Sequence, residues 1–158
     1  MSTQVGTLAL VPQVVDAVKL PVIAAGGIAD PRGVRAALAL GASAVQVGTA
    51  YLLTPEAKIA PLHRHALEHA RDDGSALTNL FTGRPARGLY NRVMRELGPL
   101  STLAPAFPTA GGALLPLRAA AEAQGRDDFI PLWAGQAAAL APRMSSGALT
   151  RHLGGAAR

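Results

Sequence analysis

Residues 22–49, VIAAGGIADPRGVRAALALGASAVQVGT, constrain the fold more than any other stretch of the chain. Two short apolar runs, Val22–Ala25 and Ala44–Val47, flank one helical segment. Each run ends in a glycine turn: Gly26-Gly27 after the first, Gly48-Thr49 after the second. Strands apolar on both faces are the mark of a buried parallel sheet. Asp30 suits the N-cap of the intervening helix and Pro31 its first position, where a missing N–H costs nothing. That helix is expected to reach about Leu40, with Val34, Ala37 and Leu38 inward, Arg32 and Arg35 outward, and Gly41 closing it. Upstream, LALVPQVVDAV (8–18) has helical period, with Leu8, Val11, Val15 and Val18 on one face. A start near Val11 would put Pro12 in the first turn. The order helix, strand, helix, strand is the βα rhythm of an α/β fold.

After Thr54-Pro55-Glu56 the pattern changes. Residues 57–72 read as a polar-faced helix that Asp73-Gly74 breaks. Within 77–97 a GRPARG loop precedes a helix containing Asn91, Arg92, Arg95 and Glu96. Gly98 to Pro116 is rich in proline and glycine and reads as a surface loop. Residues 117–124 and about 132–141 read as two more helices, and the tail after Arg143 is expected to fray. The expected organisation is residues 1–56 as βα units and 57–158 as a mostly helical segment of the same domain.

The two glycine turns carry the chemistry. Successive backbone N–H groups at a strand-to-helix turn form a concave donor site, and a helix N-terminus behind it adds partial positive charge. Phosphate oxygens approach such amides closely only where no Cβ intrudes. In (β/α)8 barrels this arrangement follows strands 7 and 8. Val22–Ala25 is accordingly read as strand 7 and Ala44–Val47 as strand 8. Gly26, Gly27, Gly48 and the Thr49 N–H and hydroxyl are the expected phosphate ligands. The competing reading is a pair of ordinary turn glycines in a βαβ unit.

Other chemistries find less support. The chain of 158 residues has no cysteine, which removes disulfides, thiolate metal sites and cysteine nucleophiles. Its net charge of +5 is spread thinly, and the one dense basic run is Arg84, Arg87, Arg92 and Arg95. Polyanion binding needs clustered charge, so no nucleic-acid partner is expected. The start lacks a basic region ahead of its apolar part, and proline and glycine break every candidate membrane span. A cytoplasmic protein with no membrane partner is expected. His65 and His69 have i,i+4 spacing, and HALEH fits the inverted zinc pattern HxxEH. No third ligand is evident, and an exposed helix bearing His63, His65 and His69 fits better than a metal site. Ser75, Ser101, Ser145 and Ser146 lack a nucleophile elbow. Arg84 and Arg87 suit structural ties to helix C-termini better than ligand contacts, and Trp133 suits core packing better than a flavin contact.

PVIAAGGIADPRGVRAALALGASAVQVGTAYLLTPE (21–56) resembles the C-terminal barrel half of nitronate monooxygenases, the family once called 2-nitropropane dioxygenases. TGRPARGLYNR (82–92), LWAGQAA (132–138) and LALVPQVVDAV are similar to that family as well. The resemblance implies a partial TIM (β/α)8 barrel, its last two βα units, with noncovalent FMN. It implies oxidation of an alkyl nitronate with O2 to a carbonyl compound and nitrite. The family's phosphate-holding positions correspond to Ala25, Gly26, Gly27, Gly48 and Thr49, while Gln46 has no assigned role. The family's catalytic His lies in a glycine-rich His-Arg motif upstream. Residues 1–7, MSTQVGT, hold neither His nor Arg, so no catalytic residue carries over. The chain is therefore expected to be a carboxyl-terminal portion of the enzyme: a split subunit that pairs with a complementary N-terminal barrel half, a truncated gene product, or the product of a misassigned start codon. The alternatives are another FMN barrel, such as an enoyl-thioester reductase, or a catalytically silent remnant or interaction module.

Overall fold

The computed structural model describes residues 3–155. The chain is mixed α/β and divides into two compact units: residues up to Lys58 together with those from Leu140 on, and Ile59–Ala139.

The first unit contains α1 (Thr7–Ala17), β1 (Ile23–Ala25), α2 (Pro31–Ala39), β2 (Ala44–Gln46), a one-turn α3 (Thr49–Leu52) and, from the far end of the chain, α7 (Ser146–Leu153). β1 and β2 form a parallel pair. Val11, Ala24, Ala37 and Ala42 make its core, with Val15, Ile28, Leu40 and Val45 packed around them. The side chains here are small, so helix and sheet approach closely. Gly41 (φ +93°) ends α2, and an added Cβ would lie 2.8 Å from Val15 Cγ1.

Four expectations are corrected in this unit. The parallel pair is covered on one face only: Ala24 is buried, whereas Ile23, Ala25, Ala44 and Gln46 on the other face are exposed, Ile23 to 62%. The helices of this unit supply a single covering layer. Leu38 faces solvent, because Ala37 and Val34 already take the inward stripe of α2. Helix α1 starts at Thr7, so Pro12 is its sixth residue and the helix forgoes one interior hydrogen bond. The tail beyond Arg143 is helical. Ser145 caps α7 by accepting from Ala148 N, and Leu149 is fully buried. Residues 156–158, also within that expectation, lie outside the described residues.

The second unit contains α4 (Pro61–Glu68), an antiparallel hairpin of β3 (Ser75–Thr78) and β4 (Ala86–Leu89), then α5 (Arg92–Leu97) and α6 (Leu115–Glu122). A 3-10 turn at Ala110–Leu114 precedes α6. The mostly helical expectation misses the hairpin. SALT and ARGL contain few β-branched or aromatic residues, and pairing rather than propensity makes them strands. Residues 132–134 are extended, not helical. Leu89 N donates to Leu132 O (2.8 Å), Ala134 N donates to Arg87 O (3.2 Å), and Gly88 bridges Trp133. Gly88 permits this approach, since a Cβ there would lie 3.0 Å from Leu132 O. Leu80, Phe81, Val93 and Met94 form the core, and Trp133 meets Phe81 edge to face at 5.7 Å. Asn91 caps α5 and donates to Ile130 O at 2.9 Å and to Asp127 O at 3.2 Å.

Candidate functional site

In the parallel pair, Ile23 lies opposite Ala44, Ala24 opposite Val45 and Ala25 opposite Gln46. The main chain therefore leaves both strands at one edge of the sheet, about 5 Å apart. Ala25, Gly26 and Gly27 follow from β1, and Val47, Gly48 and Thr49 from β2. The five site residues expected from sequence belong to two neighbouring turns on the same side. Gln46 is exposed beside Ala25 on the uncovered face.

The glycines differ in why they are glycines. Gly26 (φ +97°) and Gly27 (φ +74°) occupy the left-handed region, where an L side chain is strained. Gly26 is also close to Thr7, whose Oγ1 would be 3.3 Å from an added Cβ. The Thr7 hydroxyl donates to Ala25 O at 3.5 Å, so it belongs to the wall of this turn. Nothing in the sequence singles Thr7 out. Gly48 has ordinary dihedrals (φ −105°, ψ −68°), and a Cβ there would meet no atom within 4 Å. Neither packing nor backbone geometry within these residues calls for glycine at 48. Open space thus lies beside Gly27 and Gly48, at the ends of the two paired strands.

The electrostatics around the first turn differ from expectation. The start of α2 does not offer its first amides to a ligand. Asp30 Oδ1 accepts from Arg32 N (2.9 Å) and Gly33 N (3.1 Å), and Oδ2 accepts from Arg32 Nε (2.7 Å). The Arg32 hydrogen bond is the main reason that the Asp30 carboxyl titrates below its usual value. The Arg32 and Gly33 amides are therefore committed to Asp30. Arg32 offsets the nearby Asp30 charge.

The remaining candidates have structural roles. His63 Nε2 lies 3.0 Å from Trp133 O, and as a hydrogen-bond pair this requires the proton on Nε2; burial lowers the His63 pKa. The His65 and His69 rings lie 4.2 Å apart, tilted by 44°, with His69 Nδ1 donating to His65 O. Among the described residues no three His, Cys, Asp or Glu side chains converge on a metal position. Arg87 donates to Ser75 O and Oγ across the hairpin, Arg84 lies 4.2 Å over the Phe107 ring, and Arg92 pairs with Glu96. Arg87 and Arg84 are tied to a strand and a ring partner rather than to helix C-termini. Ser101 exchanges two hydrogen bonds with Asn79. Among the described residues no helix is long and apolar enough to cross a membrane.

The family model described as nitronate monooxygenase matches residues 1–153. The chain is 47% identical over 150 residues to the nitronate monooxygenase of Pseudomonas aeruginosa, covering 94% of this chain and 43% of that protein. It superposes on the crystal structure of nitroalkane oxidase from Streptomyces ansochromogenes with a TM-score of 0.85 and 42% identity, covering 96% of this chain and 43% of that one. A FabK mutant structure from Thermotoga maritima aligns with a TM-score of 0.72 and 32% identity, over 95% of this chain and 45% of that one. The chain spans less than half the length of the curated relatives it matches.

Proposed function

Because the chain belongs to the nitronate monooxygenase family, we propose that it supplies the FMN-phosphate cradle of an enzyme that oxidises alkyl nitronates with O2 to a carbonyl compound and nitrite. In this reading β1 and β2 are the seventh and eighth strands of a (β/α)8 barrel. Ala25, Gly26 and Gly27 form one wall of the phosphate site. Gly48 and Thr49, through their N–H groups and the Thr49 hydroxyl, form the other. The observation that carries the reading is Gly48: its missing side chain leaves open space at the end of a strand whose neighbour also ends in glycine. Close approach of an anion to the main chain is the physical reason for a glycine in such a place.

A bound flavin would supply the electron-accepting chemistry. The residues of this chain anchor and orient it, with fixed main-chain dipoles matched to a dianionic phosphate. The catalytic base is supplied by residues outside this chain. The partner in this reading is a complementary N-terminal barrel half, and the uncovered sheet face bearing Ile23, Ala25, Ala44 and Gln46 is where its side chains would pack.

The test compares FMN with riboflavin, which lacks only the phosphate, by amide NMR titration of the labelled chain. FMN is expected to move the Gly26, Gly27, Gly48 and Thr49 amides, and riboflavin to leave them in place. Equal responses to both flavins, or responses confined to other residues, would overturn the assignment. For the assembled enzyme, nitrite release without NAD(P)H is expected. NAD(P)H consumption with an enoyl thioester would identify another FMN barrel oxidoreductase instead.

A further inference from the structure

We propose that a closed circuit of hydroxyl hydrogen bonds latches α3 to α7 and thereby positions the Gly48–Thr49 turn, making Tyr51, Thr54, Glu56, Ser146 and Thr150 positioning residues. The proposal rests on the phosphate reading above.

A four-residue helix has no stability of its own, because nucleation is unfavourable and one turn returns few hydrogen bonds. The direction of α3, and with it the turn that opens it, is set by what holds it. Gly48 O accepts the helix's first bond, from Tyr51 N at 3.0 Å, so a rotation of α3 moves Gly48 directly.

The latch runs in two hydroxyl arms, and on the first a proton count gives the direction. The Thr150 hydroxyl donates to Ser146 O at 2.9 Å. Its single proton is then committed, so in the 2.8 Å contact between the Tyr51 and Thr150 hydroxyls the tyrosine donates. On the other side, the Ser146 hydroxyl donates to Thr54 Oγ1 at 3.1 Å. Thr54 in turn donates to Tyr51 O at 2.8 Å. Tyr51 thus begins one arm through its side chain and ends the other through its carbonyl, and both arms pass through Ser146. Glu56 adds a third tie, its two carboxylate oxygens accepting from Ser146 N at 3.0 and 3.1 Å. Thr54 is 1% exposed, which shields that arm from competing water. The residues are about ninety to a hundred positions apart in sequence, so the end of the chain orients the turn that follows β2. Bonds of this kind are individually modest, and their value here is directional.

The test uses Tyr51→Phe and Thr150→Val, each removing one hydroxyl at nearly constant shape, with Thr150→Ser as the conservative restoration. Two readouts apply: amide hydrogen exchange across 48–53 and the ratio of FMN to riboflavin affinity. Both hydroxyl-deleting variants are expected to exchange faster at 48–53 than the parent while residues 23–33 stay unchanged. Their FMN affinity should fall about three- to ten-fold, the loss expected for one hydrogen bond, with riboflavin affinity constant. Thr150→Ser should restore both readouts. Unchanged exchange at 48–53, or equal losses for both flavins, would overturn the latch. A parent chain that binds both flavins equally refutes the phosphate reading and the positioning role built on it. In that event the exchange readout still judges the latch as a mechanical tie.

Discussion

Gly48→Ala separates ligand contact from folding. The native dihedrals of Gly48, φ −105° and ψ −68°, are open to alanine, and the new methyl would touch nothing within 4 Å. Replacing glycine at such a compatible position stabilises by about 0.4–1 kcal/mol through the unfolded chain. Alanine is a poorer residue than glycine ahead of a helix, which opposes that gain. The net change in unfolding free energy is therefore expected to stay within about 0.5 kcal/mol. In the proposed reading the methyl instead occupies the space through which a phosphate oxygen would reach the Gly48 and Thr49 amides. Loss of one charge-assisted hydrogen bond, about 2 kcal/mol, corresponds to about a thirty-fold weaker FMN affinity. Flavin fluorescence titration with FMN and riboflavin, beside urea unfolding of the same variant, measures both quantities. Unchanged FMN affinity in a folded Gly48→Ala chain would refute the reasoning, as would an equal loss for riboflavin.

Gly41→Ala should do the reverse. A positive φ of +93° and a Cβ 2.8 Å from Val15 Cγ1 together predict destabilisation of about 2–4 kcal/mol, read as a lower urea midpoint; an unchanged midpoint would contradict the packing described. His63 makes stability pH-dependent. Its folded pKa lies below the ordinary value of 6.5, chiefly through burial, so the unfolded chain binds the proton more readily. The contribution is complete above pH 6.5 and is lost as pH falls toward the folded value. Unfolding free energy should drop between pH 7.5 and 5.5, and His63→Gln should flatten that drop; an equally steep drop in the variant would show that other groups cause it.

The βαβ unit is legible in the sequence because each of its signals is local. Asp30-Pro31 starts α2, Gly41 stops it, and two apolar runs of strand length flank it. What escapes is decided by tertiary contacts. The hairpin strands are made by pairing with each other, and residues 132–134 by the space that Gly88 leaves for the Leu132 carbonyl. Helix α7 has readable local signs, Ser145 ahead of Leu149 and Leu153 at i,i+4, but no sequence pattern shows that Glu56 meets Ser146. In the site, the glycine pairs are readable while the reasons for them are not. Backbone conformation accounts for Gly26 and Gly27, and only the space around Gly48 separates it from an ordinary turn residue. The capture of the first α2 amides by Asp30 has the opposite lesson. The same residue that makes the helix start easy to read also removes two donors from the site.

The most direct measurement is a crystal structure of the chain soaked or grown with FMN, at a resolution that places the phosphate oxygens. The account predicts those oxygens within hydrogen-bond distance of the Gly27, Gly48 and Thr49 main-chain nitrogens, between the ends of β1 and β2. A phosphate bound elsewhere, with that cleft between the two turns filled only by water, would contradict it.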